Sequence, residues 1–407
     1  MKIPDAISEI IGPIRALRRD IHAHPELKFE ELRTSNLVAN ELRAYGCDPV
    51  VTGLGKTGVV GVIQGSRAPA PGQAKAMIGL RADMDALPIT ELNRFEHHSQ
   101  HPGKMHACGH DGHTATLLAA AKAIARDRDF AGCVVFIFQP AEEGGGGAKA
   151  MIEDGLFEQF PCDAVFAIHN WPGLRVGEFG MNPGPMMASS NEFEIILRGK
   201  GAHAAMPHLG VDPVLVASHL IQAFQSLVSR ETKPIDATVL SVTQINAGEA
   251  TNVIPDHCVM KGTVRTFSLE ALDTLESGMR RICHQLPGAF NAQAEFLFNR
   301  NYPPTINHSR EAMFAADVAA EVVGEAMVQR NVEPTMGAED FAYMLLEKPG
   351  AYIFLGNGDA SGLHRSQGHG LGPCTLHNPS YDFNDDLIPI GATFWQLLAK
   401  RFLGSNS

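Results

Sequence analysis

The sequence predicts an α/β protein in which a mainly parallel sheet forms the larger domain and a smaller ferredoxin-like domain is inserted into it. Its 407 residues, 44% of them hydrophobic, exceed what a single core usually sustains, which favours two domains. Strand-like and helix-like segments alternate in the first and last parts of the chain, as they do in parallel sheets covered by helices. The middle part has a different order of segments, typical of a ferredoxin-like module.

In the first part, apolar residues recur at helical spacing from Asp5 to Tyr45, which predicts two helices broken at Pro25. Short runs rich in Val, Ile and Phe follow and are separated by helix-like segments. The predicted strands are Gly58–Gln64, Ala76–Arg81, Cys133–Phe138 and Ala164–Ile168, and the predicted helices are Asp111–Ala125 and Ala148–Glu153. This alternation indicates a largely parallel sheet.

The middle part predicts a βαββαβ module. Its segments are Glu192–Arg198, Asp212–Arg230, Thr238–Ile245, Cys258–Thr266, Leu269–His284 and Gln293–Phe298. The α/β pattern then resumes with a helix Ala312–Val328, a strand Ala351–Leu355 and a helix from about Asp386 to Phe402. Residues 1–184 and 299–407 are therefore predicted to form one discontinuous domain and residues 185–298 the inserted one, with a Pro/Gly-rich hinge at Asn182–Pro185.

The composition indicates which binding partners and which cellular compartment to expect. A formal net charge of −12 argues against nucleic acid, whose phosphates would be repelled. The longest apolar stretches are too short to cross a membrane, and the N-terminal residues lack the apolar core of a signal peptide. The seven cysteines form no CxxC pair, which is typical of a reducing compartment. We therefore expect a soluble, cytoplasmic protein.

One short segment concentrates metal-binding side chains. His106, Cys108, His110 and His113 lie within eight positions directly before a predicted helix. Thiol and imidazole groups are the donors that zinc-like divalent ions prefer, and the C-x-H spacing lets both side chains reach one site from a turn. A surface or core role is the bland explanation for any single histidine, but the density of this cluster favours a metal site.

A second element follows the predicted strand Cys133–Phe138, where Glu142 and Glu143 precede four glycines. In an extended segment adjacent side chains point to opposite sides, so one carboxylate would face a metal and the other a substrate. A metal ligand stays ionised, whereas a general base exchanges a proton with water and the leaving group. No Gly-Lys-Ser/Thr follows the glycines, so a phosphate-binding loop is not predicted. An ordinary acidic turn is the alternative.

Other candidate residues lie at predicted strand ends or in loops. His169 ends the strand Ala164–Ile168, at the carboxyl edge where open α/β sheets gather functional groups. Asp83 and Asp85 also follow a strand, although ordinary turn chemistry explains them equally well. His377 lies in a Pro/Gly-bounded loop before the last helix. The remaining histidines of the first polar loop are interpreted as solvent-exposed: His97, His98 and His101.

Taken together, these motifs resemble the metallohydrolase family that includes hippurate hydrolase, aminoacylase and indole-acetyl-amino-acid hydrolase and, more distantly, carboxypeptidase of the pteroyl-glutamate type. The resemblance spans nearly the whole chain, and the joint order of its motifs is specific although no single motif is. The matching segments are Leu17–Glu26, Arg81–Asp85, Cys108–His113, Gln139–Gly147, Gly201–Pro207, Gly337–Phe341 and the loop of His377.

The resemblance implies two divalent metal ions per chain, with Glu142 as the residue that moves a proton. The implied ligands are Cys108, whose thiolate would bridge the two ions, and His110, Glu143, His169 and His377. Distant relatives place an aspartate where this chain has Cys108, and a bridging thiolate changes the preference among metals. Zinc or manganese is expected, with cobalt or nickel as alternatives. Supporting contacts around the ligands are expected from Asp83, Asp85, Asp111 and His113.

The resemblance also assigns roles to the inserted domain. His203 resembles the histidine that crosses a dimer interface to the neighbouring active site, so the inserted domain is expected to dimerise and to act as a lid. A homodimer or larger homo-oligomer follows from this expectation. Asn252 and Arg265 resemble the residues that hold the substrate carboxylate, a task suited to the bidentate guanidinium, although a surface salt bridge explains Arg265 almost as well.

The resemblance implies a metal-dependent amidohydrolase that splits N-acetyl, N-benzoyl or similar N-acyl amino acids into a carboxylate and a free amino acid. Three alternatives remain open. A dipeptidase or aminopeptidase would need an acidic anchor for a free α-amine, which the sequence does not reveal. An N-acetyl-diaminopimelate deacetylase would need a further polar group for the distal amino-carboxylate. A non-catalytic metal-binding protein would be expected to lack some ligands or Glu142, yet the set is complete.

Overall fold

The computed structural model describes residues 3–69, 72, 75–359 and 368–404. The chain divides into two compact units. The larger unit comprises the chain up to Met186, Ile306–Glu333 and the chain from Asp340 onward, and the smaller unit comprises Met187–Thr305 and Pro334–Glu339. The sequence predicted that the chain passes from one domain to the other near Gly184 and returns near Asn299. The roles predicted for the two domains stay predictions.

The helices follow the order expected from the apolar periodicity. They are α1 (Asp5–Ser8), α2 (Ile11–Ala23), α3 (Leu32–Ala44), α4 (His110–Arg126), α5 (Gly147–Glu153), α6 (Leu156–Gln159), α7 (Pro213–Ser226), α8 (Leu269–Gln285), α9 (Ser309–Val323), α10 (Ala342–Glu347) and α11 (Leu387–Gly404). In α4 nearly every side chain is buried, because the helix packs against α2, α11 and the sheet.

The strands include several short ones that the sequence did not predict. They are β1 (Val50–Leu54), β2 (Gly58–Gln64), β3 (Met77–Asp83), β4 (Cys133–Gln139), β5 (Ala164–Pro172), β6 (Phe179–Gly180), β7 (Pro185–Met187), β8 (Ser190–Arg198), β9 (Ala202–His203), β10 (Thr238–Asn246), β11 (Val253–Ile254), β12 (His257–Thr266), β13 (Gln293–Tyr302), β14 (Thr305–Ile306), β15 (Val328–Gln329) and β16 (Gly350–Gly358).

The large sheet has the strand order β1-β2-β4-β3-β5-β16-β6-β15. Its four central strands, β4, β3, β5 and β16, run parallel, and β1, β2 and β6 add antiparallel pairings on either side. Every residue of β4 and β16 is buried, as expected for parallel strands covered on both faces. The predicted α/β class with a mainly parallel sheet is therefore confirmed.

Two helical regions differ in the structure from their predictions. The first helical region contains three helices instead of two, because the chain breaks between α1 and α2 as well as before Pro25. The helix predicted over Ala312–Val328 ends at Val323, because Gly324 adopts a positive φ of 90° that stops the helix. Val328 instead begins the short strand β15.

The smaller unit contains a four-stranded antiparallel sheet with the order β10-β12-β8-β13. Helices α7 and α8 cover one face of this sheet, and their apolar side chains pack with those of the strands into a separate core. The chain runs β8-α7-β10-β12-α8-β13, which is the βαββαβ order that the sequence predicts. Strands β10 and β13 form the two edges of the sheet.

Among the described residues, no helix combines the length and the apolar character needed to cross a bilayer.

Candidate metal centre

Neighbouring parallel strands bring the predicted site residues to one edge of the large sheet. Asp83 is the last residue of β3, and the chain leaves the adjacent β4 at Gln139, three residues before Glu142. His169 lies on β5, the neighbour of β3 on its other side. The sequence placed His169 at the end of its strand, but β5 continues to Pro172, so His169 is inside the strand.

A left-handed glycine sets the direction of the chain between Cys108 and His110. Gly109 has a φ of 92° and directly precedes α4. A Cβ atom at this position would lie 2.0 Å from the side-chain oxygen of Asn170 and 2.6 Å from the hydroxyl of Tyr381. Only glycine fits this backbone and this space, so the residue fixes where the Cys108 and His110 side chains point.

The donor atoms of the predicted ligands form two groups that share one thiol. The first group is Cys108, His110 and His169, and the second is Cys108, Glu143 and His377. Within each group the donor atoms lie within 4.8 Å of one another. The Cys108 Sγ lies 3.4 Å from His169 Nε2, and His377 Nε2 lies 3.0 Å from Glu143 Oε1. The structure thus brings all five predicted ligands together.

The ring nitrogens that face away from this cluster are held by defined partners. His169 Nδ1 donates to the backbone oxygen of Asn170 at 2.7 Å, which leaves the lone pair of Nε2 directed toward Cys108. His110 Nδ1 lies 3.2 Å from the Asp85 carboxylate and donates to it, so Nε2 is the ring nitrogen left for a metal. Neutral imidazoles with one nitrogen fixed in this way are typical metal ligands.

His113 is held differently, and its contacts explain why it does not join the donors. Its Nε2 accepts the backbone N–H of Asn170 at 3.0 Å, and its Nδ1 donates to Asp83 at 2.6 Å. Both ring nitrogens are therefore occupied, and the supporting role expected of His113 stays a prediction. Burial alone would raise the pKa of Asp83, but His110, Arg81 and His113 together hold it well below its usual range.

The cluster fits a divalent cation on two further observations. His110 Nε2 is buried and has no hydrogen-bond partner among the described residues. Burial, together with the facing carboxylates of Glu143 and Glu142, raises the pKa of the Cys108 thiol well above its usual range. A buried thiol among carboxylates becomes a thiolate only beside a strong positive charge, and a divalent ion supplies one. The donor chemistry is that of zinc-like ions.

Glu142 and Glu143 do not lie in an extended segment, as the sequence predicted, but in a turn from Pro140 to Gly146 that we call the glutamate turn. The prediction was wrong because Ala141 adopts a positive φ of 54°, which ends the strand direction at once. The two side chains still have different surroundings. Glu142 is buried, and Glu143 is partly exposed.

Asp85 connects this turn to the ligand His110. Its two carboxylate oxygens accept the backbone N–H groups of Glu142 at 3.1 Å and Glu143 at 3.0 Å. One of the same oxygens also accepts His110 Nδ1. Asp85 therefore fixes the turn and the imidazole relative to each other.

His377 is the most exposed residue of the cluster, with 54% of its side chain accessible. It adopts a positive φ of 63°, and its backbone N–H donates to Ala107 at 2.8 Å. This bond ties the loop before α11 to the segment of Cys108, although the two are far apart in sequence.

Buried charged residues next to the glutamate turn were not predicted individually from the sequence. Arg81 donates to Asp83 at 2.7 Å and to the side chain of Gln139 at 2.8 Å. Asp340 accepts Gln139 Nε2 at 2.7 Å and the backbone N–H of Ala148 at 2.9 Å, so it connects β4 to α5. The only sequence signal for Asp340 was its place in the Gly337–Phe341 motif.

A second buried network lies behind α4. His22 Nδ1 lies 2.8 Å from Asp111, and Arg18 Nε lies 2.9 Å from the same carboxylate oxygen. Burial alone would lower the pKa of His22, but Asp111 and Glu91 raise it to about 9. Asp111 thus anchors the first turn of α4, next to the ligand His110.

The histidines of the first polar loop are not all exposed, as the sequence had suggested. His97 stacks on Phe95 with ring centroids 3.9 Å apart and is only 11% accessible, because it packs beside Arg18. His98 and His101 are exposed, as expected.

In the smaller unit, His203 and Asn252 lie together. His203 on β9 pairs with Val253 on β11, and the backbone oxygen of Asn252 accepts the N–H of Ala204 at 2.9 Å. Both side chains are exposed. His203 Nδ1 accepts the N–H of Ala205 at 3.1 Å, so its Nε2 carries the proton.

Arg265 lies on a different sheet, the four-stranded one, whereas β9 and β11 form a two-stranded sheet of their own. Strand β12 runs from His257, beside the His203 end, to Thr266, so Arg265 lies eight residues along the strand, a distance of roughly 27 Å. Its guanidinium is half-buried, and burial lowers its pKa. Within one chain, the structure therefore does not bring Arg265 to His203 and Asn252.

A parallel-centred α/β sheet with thiol, imidazole and carboxylate donors gathered at its edge defines the class of metal-dependent hydrolases. Residues 79–401 match the family model described as peptidase family M20/M25/M40. The chain belongs to this family.

Similar proteins extend over the full length of the chain. It is 41% identical to hippurate hydrolase of Campylobacter jejuni, over 99% of this chain and 100% of that protein. It is 38% identical to N-acetyl-L-cysteine deacetylase of Bacillus subtilis, over 99% of this chain and 91% of that protein. A solved structure, the Bacillus subtilis YXEP protein, a dinuclear metal binding peptidase from the M20 family, has a TM-score of 0.81 and 32% identity, with 98% and 99% of the two chains covered.

Proposed function

We propose that this chain hydrolyses the amide bond of N-acyl amino acids with the help of two divalent metal ions. The observation that carries the proposal is the arrangement of donors, in which two groups of three share the Cys108 thiol. Similarity to a hippurate hydrolase and to an N-acetyl-L-cysteine deacetylase supports an N-acyl amino acid as the substrate. The acyl groups of those two substrates differ in size, so the substrate panel below includes both kinds.

The residues that would hold the ions are the two groups of three described above. Cys108 would serve both ions, His110 and His169 one of them, and Glu143 and His377 the other. The donor set suits zinc or manganese, with cobalt or nickel as alternatives. When bound, a pair of such ions polarises a carbonyl and makes water a stronger nucleophile at neutral pH.

Glu142 is the residue we assign to proton transfer. Its carboxylate lies within 4.8 Å of donor atoms of His110 and Glu143, and it is buried at the edge of the cluster. From this position it would accept a proton from the attacking water and return it to the nitrogen of the departing amino acid. Its neighbour Glu143 would stay ionised as a ligand.

We further propose that two chains complete each active site through the smaller unit. An exposed imidazole whose Nε2 carries the proton, that of His203, can donate to the oxyanion that forms during amide hydrolysis. Arg265 and Asn252 would hold the substrate carboxylate, the guanidinium through its two parallel donors. Because Arg265 lies at the far end of β12 from His203 and Asn252, joint action on one small substrate requires residues from two copies of the chain.

The edge strands of the smaller unit supply a means of association. Strand β10 carries its exposed residues in its second half, Thr243–Asn246, and pairing of equivalent edges across a two-fold axis would satisfy their backbone groups. We propose a homodimer on this ground.

A substrate panel tests the proposed function. Protein reconstituted with manganese or zinc is assayed with N-acetyl and N-benzoyl amino acids and with free dipeptides of the same residues. The N-acyl amino acids should be cleaved and the free dipeptides should be poor substrates. Efficient cleavage of free dipeptides, with none of the N-acyl compounds, would assign the chain to peptidases instead.

A further inference from the structure

Glu31 is a buried carboxylate whose role the proposed mechanism does not explain. Its side chain is fully inaccessible, and the residue directly precedes α3. The position suggests a helix cap, but the Glu31 side chain makes no capping bond. The carboxylate of Glu26 caps this helix instead, because it accepts the backbone N–H groups of Arg33 and Thr34.

The Glu31 carboxylate points to the glutamate turn. Its Oε1 accepts the backbone N–H of Ala141 at 2.9 Å and that of Phe29 at 2.9 Å. Its Oε2 accepts the hydroxyl of Thr57 at 2.5 Å. Buried carboxylates are costly unless such donors satisfy them, so this set of contacts fixes the side chain in one orientation.

Together with Asp85, Glu31 holds three successive backbone N–H groups. The N–H of Ala141 donates to Glu31, and those of Glu142 and Glu143 donate to Asp85. Ala141 has a φ of 54°, which is unfavourable for a residue with a side chain and needs support from its surroundings. The bond to Glu31 supplies that support at the residue where the chain leaves the direction of β4.

Neighbouring contacts reinforce the same attachment. Lys28 Nζ donates to the backbone oxygen of Gly144 at 3.4 Å, and a Cβ atom at Gly145 would lie 3.2 Å from the ring of Phe29. The glutamate turn is therefore contacted by Lys28, Phe29 and Glu31 on both sides of Glu142 and Glu143.

We propose that Glu31 is a positioning residue for the reaction: by holding Ala141 in its left-handed conformation, it sets where Glu142 and Glu143 point. Its side chain accepts hydrogen bonds from Phe29, Thr57 and Ala141 rather than from the candidate metal ligands. The effect of Glu31 on kcat rests on the proposed function, whereas its effect on the conformation of the turn does not depend on any substrate.

The test compares two replacements of similar volume. Glu31→Met removes every acceptor, whereas Glu31→Gln keeps an oxygen that can accept both N–H groups. We expect Glu31→Met to lower kcat about 10- to 100-fold and to weaken metal binding by a similar factor, as loss of a group that orients ligands does. KM should change less, and Glu31→Gln should recover most of the activity.

Two further variants separate positioning from general stability. Glu30→Gln changes the adjacent exposed acid, which pairs with Lys104 at the surface, and should behave as wild type. Ala141→Gly removes the cost of a positive φ, so the double variant Glu31→Met/Ala141→Gly should recover part of the kcat lost in Glu31→Met. A residue needed only for folding would not be rescued in this way.

Amide hydrogen exchange supplies a readout that needs no activity. In Glu31→Met, the peptide containing residues 141–147 should exchange at least about tenfold faster than in wild type, since its N–H loses a buried acceptor. If Glu31→Met does not fold, Glu31→Gln carries the test: its neutral amide oxygen is a weaker acceptor than a carboxylate, so exchange at Ala141 should still exceed that of Glu30→Gln by a smaller factor. Equal exchange, or wild-type kcat in Glu31→Met, would overturn the inference. Wild-type protein that cleaves no N-acyl amino acid would overturn the proposed function instead, and the exchange result would stand.

Discussion

At the scale of single residues, the metal centre is fixed through atoms that face away from it. His169 Nδ1 donates to a backbone oxygen, His110 Nδ1 to Asp85, and neither imidazole can rotate without losing its bond. Gly109 provides the one backbone conformation that directs Cys108 and His110 to the same place. The donors are thus oriented before a metal arrives, which lowers the cost of binding it.

The two adjacent glutamates should fail differently. Glu142→Gln should keep its metal and lose about 10²- to 10⁴-fold in kcat, the usual contribution of a positioned general base. Glu143→Gln should lose metal affinity, because a neutral amide is a poor ligand for a divalent ion. Metal content and single-turnover rates, measured on the same preparations, distinguish the two. Reversed phenotypes would mean that the proposed roles are exchanged.

The buried His22 predicts a dependence of stability on pH. Its pKa in the folded chain is about 9 against an ordinary value of 6.5, so the charged form is stabilised by folding. This contribution is fully present below pH 6.5 and is lost as pH rises through about 9, and it amounts to roughly 3 kcal/mol at most. The difference in unfolding free energy between wild type and His22→Gln should therefore shrink between pH 6 and 9. A constant difference would show that folding leaves the pKa of His22 unchanged.

Much of the site could be predicted because its donors are concentrated in short motifs. The segment of Cys108 and His110, and the pair Glu142 and Glu143, are visible without any alignment because their residue types are chemically unusual at that density. Asp340 was not predicted individually, because its partner Gln139 lies 201 positions away. Local sequence contains no record of such a contact.

At the scale of elements, the glutamate turn shows that the residue pattern of a strand does not predict the conformation of the chain after it. The apolar run of β4 predicts the strand and its end within one residue. The following conformation depends on Ala141, whose positive φ is maintained by buried carboxylates from distant segments, Glu31 and Asp85. Residue types alone therefore predicted an extended segment where the structure has a turn. In the same way, the end of α9 depends on the single residue Gly324.

Asp85 should affect the turn and the metal together. In Asp85→Asn, one acceptor oxygen is replaced by a donor that faces backbone N–H groups. We expect metal affinity to fall about 10- to 100-fold, with a matching loss of kcat. Asp163→Asn is the matched control, because its carboxylate accepts the N–H of Met77 at 2.7 Å at the opposite end of β3. Loss of metal in the control as well would indicate damage to the strand rather than to the turn.

At the scale of the whole molecule, the chain consists of two compact units with separate tasks in our proposal. The larger unit contains all five candidate ligands and Glu142, and the smaller unit contains His203, Asn252 and Arg265. The βαββαβ order was predictable because its strands and helices have clear periodicity. How two copies associate depends on surfaces that periodicity does not describe.

Mixed dimers test whether His203 acts on the neighbouring chain. His203→Ala and Glu142→Gln should each be nearly inactive, since loss of one oxyanion donor costs about 10²- to 10³-fold in kcat. When the two variants exchange subunits, each mixed dimer contains one site with both wild-type groups, so activity should reappear. Continued inactivity after exchange has been demonstrated would exclude action across the interface.

A metal titration tests the central claim, hydrolysis of N-acyl amino acids by a centre of two ions, most directly. Chelator-treated protein is given increasing manganese or zinc, and bound metal and the rate of N-acetyl or N-benzoyl amino acid hydrolysis are measured on the same samples. Our proposal predicts that the rate reaches its plateau at two bound ions per chain and that Cys108→Ala loses both metal and activity. Saturation at one ion per chain, or full metal content in Cys108→Ala, would contradict a binuclear centre bridged by this thiolate.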